Sequence, residues 1–209
     1  MMVTLVLIAL ALAGCAQAAP IPAPAPTLTA GAALTYIARI EGAPSSARAV
    51  IVVENGRFDA YVCSLNDAFN LTTARWYKGQ LDASGALQAT SNDGVEFKGR
   101  VQDGRFSGSI VNTQKQNLAF AGEMVPADGK SGLYRGVGKY NGEDVIVGAV
   151  LSPDGTFAAT AQKKDKFEFV SPVANQPISV AVDTLGVKIG IGEQIQVKRV
   201  TTLQGPQIF

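Results

Sequence analysis

The chain has 209 residues, 18 Lys+Arg against 17 Asp+Glu, and no histidine. The near-neutral balance removes the basic face that nucleic-acid binding needs, and the missing histidine removes Ser-His-Asp triads, Cys-His dyads and His-ligated zinc or copper sites. Charged residues make up 17% and glycines number 22, against averages of roughly 25% charged and about 7% glycine, a bias that suits a β-protein with many tight turns.

The chain opens on an uncharged apolar run, MMVTLVLIALALAG, residues 1–14. It is shorter than the about 20 residues of a membrane-spanning helix and matches the core of a signal peptide. The stretch Leu12-Ala13-Gly14-Cys15 that closes it resembles the lipobox of bacterial lipoproteins. That resemblance implies cleavage before Cys15, acylation of its thiol with palmitate-type chains, and a membrane anchor through that lipid. Ala16 stands where an aspartate would favour inner-membrane retention in that family, so the resemblance points to the outer membrane or cell surface. Secretion with cleavage after Ala16-Gln17-Ala18 is the alternative, and on either route the chain is exported. Residues 16–33 alternate Pro and Ala and predict an extended, semi-rigid spacer. The expected organisation is a signal peptide at 1–14, a lipidated Cys15 with its tether at 15–33, and a single all-β domain at 34–209.

From Leu34 onward, turn signals punctuate short runs rich in Val, Ile, Phe, Tyr and Thr. The signals are Asn55-Gly56, Ser84-Gly85, Asp93-Gly94, Asp103-Gly104, Asp128-Gly129, Asn141-Gly142 and Asp154-Gly155. Asn-Gly and Asp-Gly pairs tolerate positive φ and mark hairpins. The runs between them predict strands over Leu34–Ile40, Ala49–Val53, Phe58–Cys63, Val95–Val101, Phe106–Asn112, Val145–Leu151, Ile178–Val182 and Gln194–Thr201. Phe97, Gly99 and Val101 alternate with Lys98 and Arg100, the pattern of a half-buried strand. AVIVV and VIVGAV are apolar throughout and predict central strands covered on both faces. The one helix candidate, Leu65–Trp76, is worth one or two turns. The fold class is therefore all-β: an antiparallel, hairpin-rich meander forming a sandwich or barrel of about 12–14 short strands. A corner of the form [ND]-G-[RT]-F recurs at Phe58, Phe106 and Phe157, and marks three hairpins of related design. Phe209 ends the chain as the last strand of an outer-membrane barrel would, but Gly205 and Pro206 interrupt such a strand.

No nucleophile elbow, phosphate loop or dinucleotide loop is present. Cys63, in the strand-like FDAYVCS, reads as a small buried hydrophobe. Glu143-Asp144 are the candidate ligands for a hard cation such as calcium, and Asn70-Leu71-Thr72 fits a glycosylation sequon. Lys163-Lys164-Asp165-Lys166 could meet anionic lipid or polysaccharide. Tyr61, Phe69, Trp76 and Tyr77 could form an aromatic binding face, with Trp76 and Tyr77 the binding candidates. No catalytic residue and no cofactor is expected. The leader, spacer and β-domain together resemble the accessory lipoproteins of outer-membrane or surface-layer assemblies. That resemblance implies a non-enzymatic, lipid-anchored binding subunit whose partners are the membrane, through Cys15, and an envelope protein or glycan. Two alternatives stand beside it. One is a β-barrel carrier of an apolar small molecule. The other is an envelope metal redox enzyme resembling copper superoxide dismutases, which the absence of histidine disfavours.

Overall fold

A computed structural model describes residues 31–164 and 168–203. The leader at 1–14, Cys15, most of the spacer, Asp165-Lys166 and the terminal Phe209 lie outside the described residues. Fifteen strands and one short helix make up the rest. The first sheet holds β1 (Leu34–Ile40), β2 (Arg48–Glu54), β3 (Arg57–Cys63), β4 (Trp76–Gln80), β5 (Ala86–Thr90), β6 (Glu96–Gln102), β7 (Arg105–Val111) and β8 (Asn117–Met124). Helix α1 (Asp67–Thr73) links β3 to β4. The second sheet holds β9 (Gly132–Tyr140), β10 (Glu143–Leu151), β11 (Phe157–Lys163), β12 (Phe169–Val170), β13 (Ser179–Val180), β14 (Thr184–Ile189) and β15 (Glu193–Arg199).

Every pairing is antiparallel. The first sheet runs β4-β3-β2-β1-β8-β7-β6-β5, a nearly closed barrel, and the second runs β12-β11-β10-β9-β15-β14-β13, a half-barrel. Turn chemistry sets this order. Asn55-Gly56, Asp103-Gly104 and Asn141-Gly142 each place two successive residues at positive φ, which matches the right-handed twist of the strands they join and fixes two-residue hairpins. Asp128-Gly129 behaves differently. It lies in the crossover between the sheets, where the Arg199 guanidinium donates to the carbonyls of Ala127 at 2.8 Å and Gly129 at 2.6 Å. The predicted strand Ile178–Val182 shrinks to the two residues of β13 at the open edge of the half-barrel.

Period-two alternation sends one residue set into each barrel and the other outward. Phe58, Tyr77, Phe97, Phe106 and Phe120 fill the first interior, with Phe69 of α1 packed among the same residues. Rings stack there, Tyr77 on Phe97 at 4.7 Å and Phe97 on Phe120 at 5.4 Å between centroids. The second interior is mostly aliphatic, built on Val145, Val147, Leu185, Val187, Ile189 and Val197, with the rings of Tyr134 and Phe157 among them. A third cluster lies between the sheets, where outward-facing Ile37, Val50, Val52 and Tyr61 of the first sheet meet Leu133, Val150 and Ala158 of the second. The two barrels thus pack back to back. This explains the apolar-throughout sequences of β2 and β10, since each strand has one side in its own barrel and the other in the seam. The recurrent [ND]-G-[RT]-F corner opens β3, β7 and β11, and buries Phe58, Phe106 and Phe157 in each case.

Candidate functional site

The seam carries a groove on its surface. Tyr61 on β3 and Trp76 on β4 are cross-strand partners on the outward face of the first barrel. Their rings stack with centroids 4.0 Å apart, and the Tyr61 hydroxyl hydrogen-bonds the Thr160 hydroxyl across the seam. A close approach at Gly148 makes this possible. A Cβ on Gly148 would lie 2.5 Å from the Tyr61 ring and 2.7 Å from the Trp76 ring, so only glycine lets β10 pass beneath them. Above Trp76 sits Arg135 of β9, its guanidinium carbon 5.2 Å from the ring centroid, a contact worth about 0.5–1 kcal/mol at a partly exposed site.

These residues open onto a cavity of about 420 Å³ whose other walls include Asp59, Val137, Lys198, Thr201 and Thr202. It lies within the range of about 300–1,000 Å³ typical of ligand clefts. Arg135 and Val137 also border a second hollow of about 380 Å³, reached by Lys139, Asp144, Ile146 and Lys164. Val137 on the ridge between them is 71% exposed.

The electrostatics of the groove centre on Asp59. Burial pushes its carboxyl up, while Lys78, Arg135 and Arg57 pull it back towards ionisation. Burial likewise lowers Arg135, and Asp59 counters that shift. Lys78 is lowered first by burial, with Asp59 opposing and the two arginines adding to the shift. One acceptor thus stands among three cations in a half-dry setting, an arrangement suited to holding anions and hydroxyls.

The predicted site residues fall in separate places. Trp76 lines the groove, but Tyr77 does not reach it: neighbours on a strand point to opposite faces, and Tyr77 enters the first barrel at 3% exposure. Its hydroxyl finds no hydrogen-bond partner there, and burial pushes its pKa well up. Tyr61 and Phe69 are buried as well, so the aromatic binding face reduces to Trp76. Glu143 and Asp144 are engaged by lysines: Lys163 Nζ lies 2.6 Å from Glu143 and Lys139 Nζ lies 2.8 Å from Asp144. Among the described residues, no group of three His, Cys, Asp or Glu side chains could hold a metal ion. Asn70 of the sequon is 4% exposed on α1, where its side chain donates to the Ser64 carbonyl and accepts from the Ser64 amide, both at 2.9 Å. Cys63 is fully buried, and burial raises its thiol pKa despite the nearby Arg48 charge, so the thiol stays protonated and inert.

At another part of the seam, a more open cleft of about 660 Å³ is bordered by Arg39, Arg48, Arg105, Glu123 and Asp154. Arg48 is 3% exposed there. It donates to Ser152 Oγ at 3.0 Å and to the carbonyls of Ser45 at 2.7 Å and Ala47 at 2.9 Å. Its remaining nitrogen lies 3.4 Å from Asp154, which also pairs with Arg39. This is a latch between the barrels, since its cation is already spent on the protein itself.

Sequence reasoning missed Asp59, Arg135 and Lys198, which come from strands far apart in the chain and carry no local motif. No protein-family model matches the chain, and no curated protein sequence matches it. Among solved structures, kievitone hydratase from Nectria haematococca is similar at 11% identity and a TM-score of 0.24, over 80% of this chain and 76% of that one. A protein described as an AttH from Nitrosomonas europaea is similar at 11% identity and a TM-score of 0.23, over 84% of each chain. Overlaps this loose carry no argument about function.

Proposed function

We propose that the chain is a non-enzymatic, lipid-anchored binding module of the bacterial cell envelope, an accessory subunit of an outer-membrane or surface-layer assembly. In this reading residues 1–14 direct export, Cys15 carries the lipid, and residues 16–33 hold the double barrel off the membrane. The observation that carries the binding role is the seam groove. Both barrel interiors are occupied by the chain's own side chains, whereas the groove presents Trp76, Arg135 and Asp59 to the outside. That distribution also speaks against the carrier reading, which needs an open barrel interior. Ala33, the last residue of the expected tether, packs against the apolar cluster between the barrels.

The test is mild-detergent extraction of native envelopes followed by mass spectrometry of the protein and its companions. The expected result is an acylated N-terminal Cys15 in a stoichiometric complex, with a Cys15→Ser variant released to the soluble fraction. An unlipidated chain beginning at Ala19 that carries a small molecule would overturn the proposal in favour of a carrier.

A further inference from the structure

We propose that the seam groove binds an acidic oligosaccharide, a sugar chain bearing carboxylates, along the line from Lys198 through Arg135 to Lys164. The proposal rests on the binding-module reading and names the chemistry of its partner. Three features select this ligand. The first is charge. Arg135, Lys198, Lys139 and Lys164 face the two hollows against Asp59 and Asp144, and Lys139 already neutralises Asp144. The surplus is positive and spread lengthwise. Lys198 on β15, its cross-strand partner Arg135 on β9 and Lys164 just past the end of β11 carry it across the two hollows, which fits a chain with repeating charges better than a single ion.

The second feature is the mixture of polar types. A hydroxylated ring needs acceptors as well as donors, and the groove supplies the Asp59 carboxylate beside Arg135, Lys198 and the hydroxyls of Thr201 and Thr202. A surface built for phosphate headgroups alone would have no use for a carboxylate at its centre. Exposed Val137 and the edge of Trp76 add the apolar contact that sugar ring faces take up.

The third is shape and backbone. The site comprises two hollows joined at the Arg135–Val137 ridge, which a linear molecule can follow and a flat bilayer cannot enter. On its β10 side, β9 is paired along its whole length from Gly132 to Tyr140 and offers no free edge for an added peptide strand.

The test is titration of the detergent-solubilised full-length protein with a uronic-acid hexamer, followed by calorimetry and by the fluorescence of Trp76, the only tryptophan of the chain. The expected result is saturable, salt-sensitive binding that perturbs Trp76 fluorescence and is weaker by about tenfold or more for a neutral hexamer of the same length. Arg135→Gln and the exposed Lys198→Gln should each weaken binding by about tenfold, while Arg100→Gln, on the opposite side of the first barrel, should leave it within about twofold. Lys198→Gln keeps the test valid if Arg135→Gln disturbs the seam. Equal affinity for acidic and neutral hexamers would overturn the proposal. So would equal losses at Arg100 and Lys198, or tighter binding to polyglutamate or to phosphatidylglycerol vesicles. The two readings fail separately: an unmodified Cys15 leaves oligouronate binding intact, and absence of oligouronate binding leaves the anchor standing.

Discussion

The first barrel and the half-barrel bury similar strands around different cores, and the contrast follows from how each sheet ends. The first sheet wraps until its end strands β4 and β5 come near each other, so its interior is nearly closed and filled by rings: Phe58, Tyr77, Phe97, Phe106 and Phe120 occupy it. The second sheet stops short of closing. Its core is mostly Val, Ala, Ile and Leu, with Tyr134 and Phe157 as its two buried rings, and at its open edge Ile178, Val180 and Val182 remain 40–54% exposed. Three glycines of β9 (Gly132, Gly136 and Gly138) sit where a Cβ would meet Arg199, Val197 or Ile195 at under 3.0 Å, so β15 can lie close against that strand. The half-barrel gains its other cover from its neighbour, because Leu133, Val150 and Ala158 are buried against the outside of the first barrel. The seam covers both sheets, and the open one has less of its core enclosed by its own strands.

The largest expected effect tests that dependence. Phe97 is fully buried and packs against Tyr77, Phe106 and Phe120. Phe97→Ala should cost about 3–5 kcal/mol, whereas Ile189→Val in the half-barrel should cost about 0.5–1.5 kcal/mol. Urea unfolding of both variants, followed by circular dichroism, checks these figures. A single transition in each case fits two barrels that unfold as one unit through the shared seam. A first-barrel transition that moves while a second stays fixed would show that the half-barrel stands alone.

The seam itself offers the next largest effect. Gly148→Val places a side chain where a Cβ already comes within 2.5 Å of Tyr61, an overpacking expected to cost about 1–3 kcal/mol. Since Trp76 stacks on Tyr61 at this point, its fluorescence should shift to the red as water reaches the ring. A loss of stability with unchanged Trp76 emission would place the disturbance elsewhere than between the barrels.

Much of this architecture was legible in the chain. Asn55-Gly56, Asp103-Gly104 and Asn141-Gly142 announce their hairpins because positive φ at two successive positions leaves few other residues. AVIVV and VIVGAV announce strands covered on both sides, and the seam supplies the second cover. The site was far less legible. Trp76 stands out as the only tryptophan, yet Tyr77 beside it has the same composition signal and the opposite orientation. Asp59, Arg135 and Lys198 meet only because β3, β9 and β15 converge, and no spacing rule connects positions more than sixty residues apart. Asp128-Gly129 carries hairpin chemistry, but a distant side chain, Arg199, gathers its carbonyls into a crossover.

The smallest expected effect concerns the hairpin that reaches from the half-barrel to its neighbour. Asp154 follows β10 and pairs with Arg39 and Arg48 of the first barrel. Partial burial raises its carboxyl pKa, but the Thr156 amide and hydroxyl, the Arg39 hydrogen bond and the Arg48 charge outweigh that and bring it down to about 2. An ordinary aspartate titrates near about 3.9 when unfolded. The folded value is the lower one, so this carboxylate contributes stability above about pH 4, and the contribution disappears as the pH falls through about 2. Asp154→Asn should therefore destabilise the protein at pH 7 by no more than about 1 kcal/mol, since solvent reaches the pair, and the variant should show a shallower loss of stability between pH 4 and pH 2 than the parent. Thermal melts across that range measure both slopes. Parallel acid limbs would mean that the Arg48–Ser152 contact and the apolar seam hold the barrels together, with Asp154 idle.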